Sequence, residues 1–245
     1  MVTKYNNLRG TAPAITMHDM TNHGGNGSNR PAAGISWNEA ARFVNWLNSS
    51  RGFQAAYNFT TSGYNDNISL WGAGQANGSN LFRHKDAVYF LPSDHEWYKA
   101  AYGSPSGTWF NYPTGSDSAP TPVGGGTASG TAVYMQPFNQ GPADIDNAGG
   151  LSPYGTMAQG GNIWEVIEGA HDNVNDNPTE SRVLRGSPWE HVDAGYLVPN
   201  TRFGLETTNE NLNHGFRVAM VPEPSSLSLL LAGGAVLMAG RRRKV

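Results

Sequence analysis

Apolar residues recur at helical spacing in two stretches of this chain. Ala40, Phe43, Val44 and Leu47 lie three and four residues apart, the stripe that lets a helix bury one face. Ahead of them stands Ser36-Trp37-Asn38-Glu39, a capping box in which serine accepts from first-turn amides and glutamate reaches back. Gly52 is a natural stop. A second capping box, Ser93-Asp94-His95-Glu96, leads into Trp97, Ala100 and Ala101 and stops at Gly103. Short apolar runs mark strands over 87–91, 181–185 and 215–220. From 103 to 161 the chain is rich in Gly, Pro, Ser and Thr and shows no period, and no repeat of fixed length occurs. Residues 1–33 hold few apolar positions and read as a long loop or the remnant of an N-terminal element. The pattern predicts an α+β domain with two main helices, short strands and long loops.

The far end has a different character. Val221-Pro222-Glu223-Pro224-Ser225-Ser226 precedes an uncharged apolar run over 227–239, closed by Arg241, Arg242, Arg243 and Lys244. The run is shorter than the roughly 20 apolar residues of a typical bilayer-spanning helix, and a thin or compressed bilayer would accommodate it at modest cost. Bases behind an apolar run stay on the cytoplasmic side, which places the body outside. The two prolines and four bases argue against a buried core helix. This order resembles the PEP-CTERM sorting signal of Gram-negative bacteria. The resemblance implies a C-terminal hydrophobic helix that anchors the chain transiently in the inner membrane. It also implies recognition and cleavage by an exosortase, with release to the cell surface or the exopolysaccharide layer. Pro222, Glu223, Pro224, Arg241, Arg242 and Arg243 are the sorting residues. An exported chain starts with a basic-then-apolar signal peptide; Met1-Val2-Thr3-Lys4-Tyr5-Asn6-Asn7 is unlike one, and the expectation is a true start further upstream. Three segments result: a polar N-terminal segment 1–30, a domain over 31–220 and a sorting tail over 221–245.

Composition narrows the function of the body. Only 14% of residues are charged, against 31 glycines and 11% aromatics, which favours a compact, turn-rich fold over disorder. Without the four bases and one acid of the tail, 12 Lys and Arg face 18 Asp and Glu, a formal charge of about −6. A mildly acidic body with no basic stripe argues against nucleic acid as a partner. There is no cysteine, so disulfides, thiolate metal sites and cysteine nucleophiles are excluded. No Gly-x-Ser-x-Gly elbow, phosphate loop or zinc-helix motif is present.

Five ordered motifs carry a second resemblance. They are Gly-Ile-Ser-Trp-Asn-Glu-Ala (34–40), Leu-Pro-Ser-Asp-His-Glu-Trp (91–97), Gly-Asn-Ile-Trp-Glu (161–165), Val-Leu-Arg-Gly (183–186) and Gly-Phe-Arg-Val-Ala (215–219). In this order the chain resembles the formylglycine-generating, sulfatase-modifying-factor family from about residue 31 to 220. The resemblance implies a C-type-lectin-like α+β fold. That family carries an earlier helical segment, whose lack here again points to an upstream start.

The family's oxidase chemistry uses copper held by two cysteines just after an Arg-Gly-Gly-Ser-Trp-like motif. Here the matching stretch is Arg185-Gly186-Ser187-Pro188-Trp189-Glu190-His191, and the cysteine positions fall near His191 and Tyr196. Copper is therefore not expected. A related branch holds non-heme iron on histidines, but His18, His23, His84, His95, His171, His191 and His214 show no ligand-like spacing. His95, in a helix first turn, reads as structural. The resemblance also implies a calcium loop at the Gly-Asn-x-Trp-Glu turn, an ion suited to oxygen-rich loops. Asn162 and Glu165 are the candidate ligands, joined by Asp144 and Asp146, while Ala158 stands where the family has Asp or Asn. The equal alternative is that Asn162 and Glu165 only tie the turn to backbone amides. Trp37, Trp97, Trp164 and Trp189 read as core, and Trp109 with Tyr112 as better placed for stacking on a sugar.

Two functions of different class remain. One is an exported, non-catalytic surface or extracellular-matrix protein, a pseudoenzyme presenting loops to a ligand such as a glycan. The other is a non-heme iron oxidoreductase using non-thiolate ligands, which requires a histidine–carboxylate cluster such as His191 with Glu190 or Asp193.

Overall fold

The computed structural model describes residues 1–63 and 65–221; the apolar run of the tail and its sorting residues lie outside them. Among the described residues, no helix is long and apolar enough to cross a membrane. In chain order the elements are α1 (Val2–Leu8), α2 (Trp37–Ser49), β1 (Ala76–Asn77), β2 (Asn80–His84), β3 (Tyr89–Phe90) and α3 (Asp94–Tyr102). They continue with β4 (Thr121–Pro122), β5 (Thr131–Ala132), β6 (Trp164–Ala170), β7 (Arg182–Arg185), β8 (Phe203–Leu205), β9 (His214–Phe216) and β10 (Ala219–Met220).

Both capping boxes form as the sequence predicts. The Ser36 amide donates to the Glu39 carboxylate at 2.9 Å, and the Ser93 amide donates to that of Glu96 at 2.7 Å. These helices dock on one strand. β6 lies inside a four-stranded sheet of order β8-β7-β6-β9, antiparallel to β7 and parallel to β9, and all seven of its residues are buried. Trp37, the first residue of α2, donates its indole N–H to the Ile167 carbonyl at 3.1 Å. Trp97 of α3 donates to the Glu165 carboxylate at 2.6 Å. Trp37, Trp97, Trp164 and Trp189 are all buried, as expected of core tryptophans.

Sequence patterning does not reveal β6, because Glu165 and Glu168 interrupt its apolar run. Each carboxylate is matched inside the protein. Glu168 accepts from the Tyr57 hydroxyl at 3.0 Å and the Asn80 amide at 2.5 Å, with Arg83 Nε at 3.4 Å. Burial still pushes its pKa up to about 7 against the pull of Arg83. Arg182 of β7 is likewise enclosed, its guanidinium 4.5 Å from the Trp37 ring centroid and 3.8 Å from that of Phe82.

Two expectations need correction. The strand expected over 215–220 is two strands in different sheets: β9 pairs with β6, and β10 pairs with β3 through Ala219 and Phe90. The N-terminal stretch, expected to be a long loop or the remnant of an N-terminal element, contains a formed and docked helix, α1. Tyr5 is 1% exposed, its ring 6.1 Å from Phe43 and 5.8 Å from Trp46, and its hydroxyl donates to the Pro13 carbonyl at 2.7 Å. Asn6 then clamps the Ile15 backbone, accepting from its N–H and donating to its carbonyl, each at 2.8 Å. A helix of seven residues with two buried side chains is too short to show a period. Tyr5→Ala is expected to lower the unfolding free energy by about 3 kcal/mol, as for other buried aromatics truncated to alanine. Urea denaturation checks this, and a loss under about 0.5 kcal/mol would mean that the segment only drapes over the domain.

Candidate functional site

The loop after β7 builds the site. Gly186 and Ser187 both hold positive φ, +98° and +74°, a left-handed pair that turns the chain sharply away from the sheet. Trp189 anchors the turn: it is fully buried, its indole N–H reaches the Phe138 carbonyl at 3.2 Å, and its amide donates to the Asn162 carbonyl at 3.1 Å. The next residues are zipped to 135–136, with the Met135 and Gln136 amides bonded to the carbonyls of His191 and Trp189 at 2.8 and 2.9 Å.

That framework sets three rings and one leucine around an open cleft of about 250 Å³, lined by Trp164, Leu184, His191 and Phe203. His191 meets Trp164 edge-on, centroids 5.4 Å apart, and lies 4.3 Å from Tyr196. Phe203 stands edge-on to Trp164 at 5.2 Å and stacks with Tyr196 at 6.2 Å. Tyr196 and Phe203 are 37% and 43% exposed, so the rim offers ring faces to solvent. The Ser187 hydroxyl and His191 Nδ1 are 3.1 Å apart. Burial lowers the His191 pKa, Glu190 pulling the other way, which keeps the imidazole neutral at neutral pH. The floor is apolar and the polar groups are few, a surface suited to a ring-bearing ligand. Ser187 is wholly buried, so its pairing with His191 orients the imidazole and leaves no hydroxyl for a substrate to reach.

His191 and Tyr196, near which the resemblance places the family's cysteines, come together as a ring pair. The other expected site residues are engaged elsewhere. Glu165 accepts from Trp97 and, with both oxygens, from the Arg217 guanidinium. The Asn162 amide bonds the Ala143 backbone in both directions, at 2.6 and 3.3 Å. Asp144 pairs with Arg30 at 3.4 Å, and Asp146 is exposed. A calcium ion at Glu165 would meet Arg217, so this donor set does not fit the cation that the resemblance implies. Copper fares no better without a thiolate. Among the described residues, no three His, Asp or Glu side chains converge as metal ligands, which leaves an iron centre without a ligand set. His95 is exposed in the first turn of α3.

Sequence reasoning misses Trp164 and Phe203 as cleft residues and the Ser187–His191 bond. The usable signal is the crowding of Trp189, His191, Tyr196 and Phe203 into one short stretch of the chain. For the expected stacking loop, Trp109 is 55% exposed, whereas Tyr112 packs against the cluster of Ala132, Tyr134 and Leu197.

Residues 3–221 match the model of the sulfatase-modifying factor enzyme 1-like domain, and residues 221–244 match the PEP-CTERM protein-sorting motif. No curated protein matches the chain. Among solved structures, Treponema denticola variable protein 1 is similar at 18% identity and a TM-score of 0.58, over 84% of this chain and 78% of that one. CarF is similar at 17% identity and a TM-score of 0.54, over 80% and 70%. PvdO from Pseudomonas aeruginosa gives 15% identity and a TM-score of 0.49, over 80% and 64%. At such identities the first two establish the fold alone, a C-type-lectin-like mixture of helices and short strands.

Two measurements probe the loop. Ser187→Ala and Ser187→Gly lose the same bond to His191, but only glycine relieves the positive φ. The glycine variant should therefore be the more stable of the two by about 1 kcal/mol, read from urea midpoints; equal stability would show that Ser187 carries no strain. His214 pairs in register with Trp164, and burial alone lowers its pKa to about 4. A depressed histidine contributes stability above its unfolded value near 6.5, and that contribution is lost as pH falls through the folded value. The stability gap between wild type and His214→Gln should therefore shift by up to about 3 kcal/mol against the wild type between pH 6.5 and 4. Comparing variant with wild type cancels Glu168, whose raised pKa acts oppositely in this window; a constant gap would refute the burial of a neutral imidazole.

Proposed function

On the premise that the chain belongs to the sulfatase-modifying factor enzyme 1-like family and ends in a PEP-CTERM export signal, we propose that it is a non-catalytic binding protein of the cell exterior. The sorting motif implies processing by an exosortase. In our reading the chain is held briefly at the inner membrane by its tail and then works at the cell surface or in the exopolysaccharide around it. Its ligand is a glycan, one sugar ring of which enters the cleft of Trp164, His191, Tyr196 and Phe203.

The observation that carries this reading is the His191–Tyr196 ring pair, 4.3 Å apart, in the stretch near which the resemblance places the family's cysteines. Where the family's chemistry needs thiolates, this chain places an aromatic wall. Ring faces match the apolar C–H faces of a sugar, and a neutral imidazole adds a hydrogen-bonding group. The wall is rigid before any ligand arrives, because Trp189 and the 135–136 backbone hold it, which limits the entropy lost on binding. The iron oxidoreductase reading needs a histidine–carboxylate cluster, and the described groups around His191 supply none.

Glycan-array screening of the full-length chain followed by calorimetry tests the proposal. We expect saturable binding of at least one glycan and a loss of about ten-fold for Phe203→Ala, equivalent to about 1.4 kcal/mol, with the melting temperature little changed. Unchanged affinity in Phe203→Ala, or no binding to any glycan, would sink it.

A further inference from the structure

A second aromatic surface lies on the turn after α3, and it shares no residue with the cleft. Trp109 is 55% exposed and Tyr154 is 40% exposed, yet both are fixed. Gly103 is the reason they converge: a Cβ there would lie 3.2 Å from Trp109 Cζ3, 3.4 Å from Tyr154 Cε2 and 2.8 Å from the Lys99 carbonyl. Only a residue without a side chain lets both rings close on this backbone. The Phe110 amide donates to the Tyr102 carbonyl at 2.9 Å and holds the turn against the helix end. The Tyr154 hydroxyl donates to the Ser104 carbonyl at 3.2 Å, and Tyr98 backs Trp109 at 5.5 Å.

The surroundings specify a ligand. Lys99 is exposed and its ammonium lies 5.9 Å from the Tyr154 ring centroid; among the described residues no carboxylate lies within ion-pair distance of it. Ser106 and Thr108 present hydroxyls 3.2 Å apart beside Trp109. Two ordered ring faces, a row of hydroxyls and an unmatched cation form a site for something that is at once ring-shaped, hydroxylated and anionic. A protein partner would be favoured by a larger, more continuous apolar patch.

We propose that Trp109, Tyr154 and Lys99 form a separate binding platform for an acidic polysaccharide, with sugar rings stacked on Trp109 and Tyr154 and a uronate carboxylate paired with Lys99. The platform stands whether or not the cleft is occupied, because the two are built from different loops. It also places Lys99, one of the few bases of an acidic body, where attraction to a polyanion is of use.

Affinity electrophoresis of the full-length chain in native gels containing alginate, or dextran as the neutral counterpart, tests this. Alginate should retard the chain more than dextran does. Trp109→Ala should weaken retardation by alginate about ten-fold, Trp109→Phe should restore most of it, and Tyr154→Phe, which keeps the ring, should bind like wild type. Lys99→Gln should bring alginate down to the level of dextran and remove its sensitivity to salt. Phe203→Ala in the cleft should leave alginate binding intact, which separates this site from the one above. The proposal is overturned if alginate does not retard the chain, if Trp109→Ala binds like wild type while melting normally, or if Phe203→Ala abolishes the retardation. Lys99→Gln with undiminished preference for alginate would equally overturn the acidic specificity.

Discussion

Two carboxylates on a strand that water does not reach set the terms for the rest of this fold. Glu165 and Glu168 lie on β6, 4% and 0% exposed, and an unmatched carboxylate there would cost several kcal/mol (order of magnitude). The matching groups come from distant parts of the chain: Arg83 and Asn80 from β2, Tyr57 from the preceding loop, Trp97 from α3, Arg217 from beyond β9. Satisfying β6 therefore assembles the domain around it. A similar clamp, Asp94 between Arg185 and Arg202, ties the first turn of α3 to the loop that carries the cleft. Polar networks of this kind specify one arrangement because a partly satisfied version is worse than none.

The same strand explains what the sequence does and does not disclose. The capping boxes at Ser36 and Ser93 are legible because their chemistry is local, spanning four residues. The buried tryptophans are legible because no other setting suits so much apolar surface. β6 is not, since two glutamates in seven residues look like a solvated or metal-binding turn until Arg217 and Arg83 are seen to face them. A calcium turn at Gly-Asn-Ile-Trp-Glu is what the family resemblance implies, and the motif alone does not name Arg217 as the partner of Glu165. Asn162 does form a tie to backbone, but across 19 residues to Ala143, a partner no local pattern could name. α1 escapes notice because its two buried side chains are too few for a period. In the cleft, His191 and Tyr196 stand apart along an irregular loop, and only a tertiary zipper to 135–136 decides that their rings meet.

Fold and chemistry are thus carried by different residues in this domain. This chain's frame depends on the indoles, the β6 carboxylates and the left-handed turn after Arg185, none of which needs a cysteine. The second left-handed position of the turn holds Ser187 (φ +74°), a residue that bears a conformational penalty there and gains a bond to His191.

The pairing of β10 with β3 bears on the order in which the protein is completed. Ala219 and Met220 close a ladder with Phe90 and Tyr89, and the Val221 amide continues it to the Val88 carbonyl at 2.9 Å. A nascent chain leaves the edge of β3 open for about 130 residues of synthesis, and the strand that seals it is the last of the described strands to be made. The export address begins at the residue that ends this ladder, Val221. The tail is thus synthesised directly after the sealing strand. A cut on the C-terminal side of Val221 takes no rung of that ladder with it.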